Sequence, residues 1–377
     1  MPDGMSQRGA SILPGPRKGR GAVSNPPVRF ETTAREAFDD GWGSLVDLAD
    51  LPPLPTTLLK DGARSAMAYN SSPDLGFDRS INPYRGCEHG CIYCYARPSH
   101  AYLGHSPGLD FETLLYFKPD LPALLERELS RPGYVPRPVA LGANTDPYQP
   151  VERTLSLTRG VLEVLERFGH PVTIVTKSAG VLRDLDILKR LAARNLVHVC
   201  LSVTTLDPNL ARRMEPRAAS PARRIAAIAE LARAGVPAGV LAAPMIPGIN
   251  DAELERILAT AAGAGAQRAG YVLLRLPLEI AGMFEAWLRT HFPDRAARVL
   301  ALVRETRAGA LYDSRFGQRQ TGTGPYADML AQRFRAAIAR LDLHRTNTGT
   351  QPLDCHQFAV PDAPKRQREP EAQLALL

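Results

Sequence analysis

Three cysteines, Cys87, Cys91 and Cys94, fall within eight residues of one another in the run Asn82–Pro83–Tyr84–Arg85–Gly86–Cys87–Glu88–His89–Gly90–Cys91–Ile92–Tyr93–Cys94–Tyr95. Their spacing is C-x3-C-x2-C, and Gly86 and Gly90 let the loop that carries them bend tightly. Thiolates this close in sequence point to one small metal centre. Soft sulfur ligands select iron–sulfur clusters, zinc or copper(I). A cubane cluster usually takes four cysteines. Three would leave one iron position open, and an open position is what metal chemistry needs. The alternative is a structural zinc with His89 or His100 as fourth ligand, and against it stands the lack of a second cysteine pair. Cys200, within Val197–His198–Val199–Cys200–Leu201, reads as a small buried hydrophobe. Cys355 lies in a Pro- and Gln-bearing tail and takes no role. Five cysteines in 377 residues do not make a disulfide scaffold.

Elements with two periodicities must position that loop. Short β-rich runs at Val139–Ala143, Val172–Thr176, Val197–Val203, Ala238–Ala243 and Tyr271–Leu276 are bounded by Gly, Pro or Asn. A weaker run, Arg79–Arg85, ends just before the cysteines. Between them Leu155–Phe168 and Leu182–Ala193 carry helical apolar spacing. Ser220–Pro221 reads as a cap with proline at the first helical position, and Asn250 with Glu253 as a capping box. Strand–helix alternation predicts parallel βαβ units. About six units give an α/β fold, a partial (β/α)6 barrel, with a doubly wound sheet as the other architecture. Either gathers its active site at the carboxyl ends of the strands. Residues 61–344 form this domain. Residues 1–60, basic and proline-rich, are expected to be a mostly disordered or loosely packed arm, and residues 345–377 a tail.

Composition narrows the class further. At 44% hydrophobic, 23% charged and 6% aromatic residues, the chain is neither wholly disordered, collagen-like nor a coiled coil. The longest apolar stretch, Val236 to Ile249, is broken by Pro237, Pro244 and Pro247, so no membrane-spanning helix is expected. The first thirty residues lack the apolar block of a secretory signal, which predicts a soluble, cytoplasmic protein. The net charge of +7 is uneven: Arg8, Arg17, Lys18, Arg20 and Arg29 against Asp3 give residues 1–30 a charge of +4. Such an arm is either a solvated tail or a weak contact for DNA.

The cysteine spacing with an aromatic before the third cysteine, here Tyr93, resembles the radical S-adenosylmethionine (SAM) superfamily. Gly86–Cys87 through Cys94–Tyr95, with Thr145–Asp146–Pro147, resemble the branch that includes spore photoproduct lyase. The resemblance spans about residues 65–340. It implies a radical SAM partial (β/α)6 barrel and a [4Fe–4S] cluster on Cys87, Cys91 and Cys94, whose open iron is chelated by the methionine amino and carboxylate groups of SAM. It further implies reductive cleavage of SAM to methionine and a 5′-deoxyadenosyl radical, and an electron donor such as flavodoxin or ferredoxin.

Carried over residue by residue, the resemblance implies that Tyr93 lies beside the adenine and that Lys177, closing a strand, meets the SAM carboxylate or ribose. A point cation at a strand's carboxyl end suits a carboxylate. Ser202 matches a ribose-binding serine, and Ile246 would offer its main chain to adenine. Asn144 and Asp146 stand where the methionine amino group is met. The spore lyase keeps a hydrogen-donating cysteine near here, and residues 139–150 contain none, so efficient thymine-dimer repair is not expected; Tyr148 and Tyr95 are the oxidisable side chains that could stand in as donors. Arg212, Arg213, Glu215, Arg275, Arg315 and Arg319 are either anion ligands at the cavity or partners in ion pairs. Three functions remain: a radical SAM enzyme of unknown substrate, a DNA-repair lyase, and a non-enzymatic, metal-stabilised nucleic-acid-binding protein.

Overall fold

The computed structural model describes residues 15–30, 54–345 and 352–361. Its main sheet has eight strands: β1 (Met67–Tyr69), β2 (Arg79–Ile81), β3 (Val139–Leu141), β4 (Val172–Thr176), β5 (Val197–Ser202), β6 (Ala238–Met245), β7 (Arg268–Leu273) and β8 (His344–Arg345). They lie side by side in that order. Strands β2 to β7 are parallel throughout, and β1 pairs antiparallel with β2. Six parallel strands with covering helices make the partial (β/α)6 barrel.

Helix α1 (Leu121–Leu129) follows β2, α2 (Leu157–Arg167) follows β3 and α3 (Leu185–Ala193) follows β4. Helix α4 (Pro221–Arg233) follows β5, α5 (Leu254–Gly263) follows β6, and α6 (Ile280–His291), α7 (Pro293–Glu305) and α8 (Pro325–Arg340) follow β7. The strands' two faces explain the barrel. Val197, Val199 and Leu201 of β5 belong to the core shared with the helices, while His198, Cys200 and Ser202 occupy the opposite, inner face. The helices bury one stripe each, as Ile187, Leu188 and Leu191 do on α3. Truncating Leu188, fully buried, to alanine would cost about 2–5 kcal/mol.

Local signals were met unevenly. Pro221 occupies the first turn of α4, but the Ser220 side chain makes no capping bond. Asn250 does not form the capping box either, because a 3-10 turn at Asp251–Glu253 precedes α5. Instead Asn250 accepts from the Ile246 N–H (2.6 Å) and donates to the carbonyls of Thr204 (2.7 Å) and Pro244 (3.0 Å). Three partners across a buried loop outweigh one cap.

Parts of the expected arm and tail are packed against the domain. Residues 15–30, assigned to a loose arm, are packed. Ala22 is wholly buried, and the Glu112 carboxylate accepts from the N–H groups of Gly21 (3.0 Å) and Ala22 (2.8 Å). Residues 352–361, assigned to the tail, are packed as well. Phe358 lies 5.4 Å from Tyr134 and 6.2 Å from Phe168, ring centre to ring centre, and Gln357 is bonded to Arg194. Residues 57–60, the end of the expected arm, form a strand that pairs in parallel with Leu114–Phe117. Arg8 and the other residues of the expected arm and tail at 1–14, 31–53, 346–351 and 362–377 lie outside the described residues.

A strap joins the two ends of the open sheet. The Leu273 N–H donates to the Gln320 carbonyl (2.8 Å), and Asp74, in the β1–β2 connection, accepts from Arg319 (2.7 Å) and the Gly317 N–H (2.6 Å). Arg319 is thereby an ion-pair residue. Arg315 pairs with Asp313 in the same way.

Candidate active site at the cysteine loop

The cysteine loop leaves the carboxyl end of β2 and is tied on every side. Glu88 N–H donates to Gln149 Oε1 (2.8 Å), whose amide returns to the Gly86 carbonyl (3.3 Å). Ile92 N–H reaches the Met214 carbonyl (3.1 Å), and the buried Arg97 guanidinium holds the Cys91 carbonyl (2.9 Å) and pairs with Glu112 (2.5 Å). Gly86 and Gly90 have φ of +81° and +67°, left-handed turns that β-carbons disfavour. A rigid backbone is what fixed thiolate placement requires.

Cys87 and Cys91 are buried, Cys94 is half-buried, and none is in a disulfide. Burial pushes the Cys91 thiol up to about 12, with Lys177 opposing, and burial raises Cys87 too. Such thiols give up their protons to a metal rather than to water. Among the described residues no three Cys, His, Asp or Glu side chains converge as a single-ion site demands. Thiolates that bind separate irons of a cubane do not share one point, so this donor set fits a cluster better than a structural zinc. His100 Nε2 lies 3.0 Å from the Leu114 carbonyl.

Tyr93 anchors a buried polar network behind the loop. Its hydroxyl donates to Glu215, which also accepts from Thr204 Oγ1 (2.5 Å) and pairs with Arg224. Arg224 further donates to the carbonyls of Ser202 (3.0 Å) and Ala219 (2.7 Å). Burial alone would raise the Glu215 carboxyl, but Arg224 and Lys177 hold it down at about 2. Lys177 Nζ lies 5.7 Å from the Tyr93 ring centre. Burial penalises that ammonium, yet Cys91 and Glu215 together keep its pKa above the ordinary lysine value. Arg224 was not singled out in the sequence, because nine residues separate it from Glu215 and no local pattern marks the pair.

The other expected residues divide. Tyr95, 47% exposed, donates its hydroxyl to the Ala143 carbonyl at the end of β3, and the Arg275 guanidinium stacks 4.6 Å from its ring centre. Asn144, half-buried, sits beside it and donates its N–H to Asn82 Oδ1 (2.9 Å). Lys177, Tyr95, Asn144 and Arg275 therefore gather at the carboxyl ends of the strands. Ser202, at the end of β5, spends its hydroxyl on the Ala243 carbonyl (3.2 Å), and the Ile246 N–H is already taken by Asn250.

Asp146 is not open to a ligand's ammonium. Its Oδ1 accepts from Tyr148 N–H (2.9 Å) and Thr176 Oγ1 (2.7 Å), and its Oδ2 accepts from Lys177 N–H (2.7 Å) and faces His89 Nδ1 at 3.3 Å. Burial works against its charge, but His89 and these donors hold it at about 2. It clamps β3 to β4. Tyr148 is buried in the main core and donates to Asp184 (3.0 Å), away from the cysteine loop. Arg212 and Arg213 also turn from the cluster side and line a separate cleft with Arg17 and Arg20.

Comparison with known proteins places this arrangement in a family. The radical SAM superfamily model matches residues 81–261. The chain belongs to that superfamily. An uncharacterized protein of Mycobacterium tuberculosis is 37% identical over 242 residues, covering 63% of this chain and 71% of that one. An uncharacterized protein of Methanocaldococcus jannaschii is 29% identical over 173 residues, 46% and 62% of the two chains. Among solved structures, spore photoproduct lyase is similar with a TM-score of 0.54 at 18% identity, over 76% of this chain and 81% of that one. At that identity the likeness is one of fold. A variant of that lyase with bound SAM and dinucleoside spore photoproduct matches equally, at TM-score 0.54 and 17% identity.

Proposed function

We propose that this chain is a radical SAM enzyme that holds a [4Fe–4S] cluster on Cys87, Cys91 and Cys94 and acts on a substrate bound at the carboxyl ends of the strands. The observation that carries this reading is three unbridged thiols on one rigid loop, with a cation, Lys177, beside the loop's own Tyr93. When bound, such a cluster supplies the electron that cleaves SAM to methionine and a hydrogen-abstracting 5′-deoxyadenosyl radical.

The chain's own residues then have distinct tasks. Lys177 neutralises the SAM carboxylate, and its remaining charge balance comes from Glu215. Tyr93, fixed by Glu215 and Thr204, presents an immobile ring face to the adenine. Tyr95 and Arg275 stand together beyond Cys94 at the strand ends, where a substrate would lie. Asp146 and Asn250 keep the strand ends and the following loops in place, so they position these groups rather than touch the ligand. An acidic one-electron carrier of the flavodoxin or ferredoxin type is the expected reductant.

Anaerobic reconstitution tests the proposal. Four irons and four sulfides per chain, a broad absorbance near the visible region, and 5′-deoxyadenosine formed from SAM on reduction are the expected results. A colourless protein with one zinc, or a reduced cluster that leaves SAM intact, would overturn it.

A further inference from the structure

On the outer side of the cysteine loop, a cleft of about 300 Å³ is lined by Arg17, Arg20, Arg212, Arg213, Pro216 and His291, among others, and among the described residues by no carboxylate. The four arginines arrive from two distant parts of the chain. Arg212 and Arg213 lie in the last turn of a short helix, Pro208–Met214, where the helix dipole favours cations. That accounts for their sign but not for their meeting Arg17 and Arg20, which come from the packed N-terminal segment.

The donors in this cleft are unspent. Arg17 Nε and Nη1 are buried and have no hydrogen-bond partner among the described residues. Arg212 and Arg213, both exposed, enter no ion pair there. Arg213 only stacks 5.4 Å from the Phe292 ring centre. Arg20 is committed to the carbonyls of Glu112 (2.6 Å) and Leu54 (2.5 Å), so it adds charge and rigidity rather than donors. Elsewhere on this surface arginines are matched with acids, as in Arg217 with Glu88 (3.0 Å). Buried guanidinium donors left unpaired, as on Arg17, are costly, and with the exposed forks of Arg212 and Arg213 beside them they call for an oxyanion.

We propose that this cleft binds a phosphate group through Arg17, Arg212 and Arg213. The group belongs either to a phosphorylated small molecule or to a nucleic-acid backbone, and the planar fork of arginine suits both. The site is independent of the reaction above, but it shares a wall with the cluster loop. Gly21, one residue from Arg20, packs so closely on Gly90 that a β-carbon there would fall 1.7 Å from the Gly90 carbonyl oxygen. Its other neighbour is Pro216 of the cleft.

Two titrations of the anaerobically purified full chain test this. Inorganic phosphate, followed by calorimetry, should bind saturably with one site per chain. Arg212→Gln, at an exposed position, should weaken binding at least tenfold while the melting temperature stays unchanged. Arg17→Gln should weaken it similarly, and Arg289→Gln, outside the cleft, should not. A fluorescently labelled twelve-nucleotide DNA, followed by anisotropy, distinguishes the sources. Binding that phosphate competes away and that Arg212→Gln loses would assign a nucleic-acid backbone. Phosphate binding without oligonucleotide binding would assign a small phosphorylated molecule. No saturable phosphate heat, or equal affinity in wild type and a folded Arg212→Gln variant, would overturn the proposal.

Discussion

Lys177 Nζ stands 5.7 Å from the centre of the Tyr93 ring, which joins the end of β4 to the cysteine loop across 84 residues of sequence. The same ammonium feels Cys91 and Glu215 as its principal negative neighbours. One cation thus sits where thiolate, aromatic face and buried carboxylate meet. Lys177→Met should spare the cluster and weaken SAM binding about ten- to hundredfold, the worth of one charge-assisted contact. Equilibrium binding of SAM to the reconstituted variant reads this directly, and wild-type affinity would make Lys177 a structural residue.

Replacing any one of Cys87, Cys91 or Cys94 with alanine should abolish the cluster, because two thiolates cannot hold a cubane. Cys200→Ser should retain it. Cys200 sits on the inner face of β5, 3.6 Å from His198, and burial pushes its thiol up to about 12. Cys355→Ser should retain it too. Iron and sulfide analysis decides, and full iron in a Cys91→Ala protein would remove the assignment.

Glu215→Gln should destabilise the fold by about 3–5 kcal/mol, since it leaves Arg224 buried without its carboxylate. The pH dependence has a definite sign. Glu215 is held at about 2 against an ordinary 4.5, so its contribution is complete above about pH 4.5 and is lost as pH falls toward 2. Urea midpoints at pH 6, 4 and 3 should therefore fall less steeply in Glu215→Gln than in the parent. Parallel slopes would show that the carboxylate is not the acid-sensitive group.

Gly21→Ala should push the N-terminal segment off the cysteine loop, because its β-carbon has no room beside the Gly90 backbone. Overpacking of this kind costs about 1–3 kcal/mol. Limited trypsin digestion should then cut at Arg17, Lys18 or Arg20 in the variant and spare the parent. Deleting residues 1–30 should destabilise the protein for the same reason, rather than merely trim a solvated arm.

Tyr148→Phe should leave SAM cleavage unchanged and lower stability by about 1 kcal/mol, the worth of its bond to Asp184. Tyr95→Phe should change substrate turnover instead, since Tyr95 is 47% exposed beside Arg275. Comparing 5′-deoxyadenosine yield with melting temperature for the two variants separates the roles. Equal loss of cleavage in both would return Tyr148 to the site.

The local parts of this molecule were legible because their causes are local. Cysteine spacing, glycines that permit left-handed turns, and period-two apolar runs act over a few residues. They placed the cysteine loop and five of the six parallel strands to within a few residues, with β2 as the weaker sixth. What tertiary structure decided are the partnerships made across long loops. Asp146 looked like an open acceptor, yet three donors from two segments bond it and His89 faces it. Tyr148 looked like an oxidisable side chain of the site, yet its chain turn points it into the core. Residues 15–30 looked like a solvated arm by composition, although Glu112, about ninety residues on, satisfies their backbone. Each of those outcomes depends on which buried polar group finds a partner once the barrel closes, and that choice is made by distances in space that spacing along the chain does not contain.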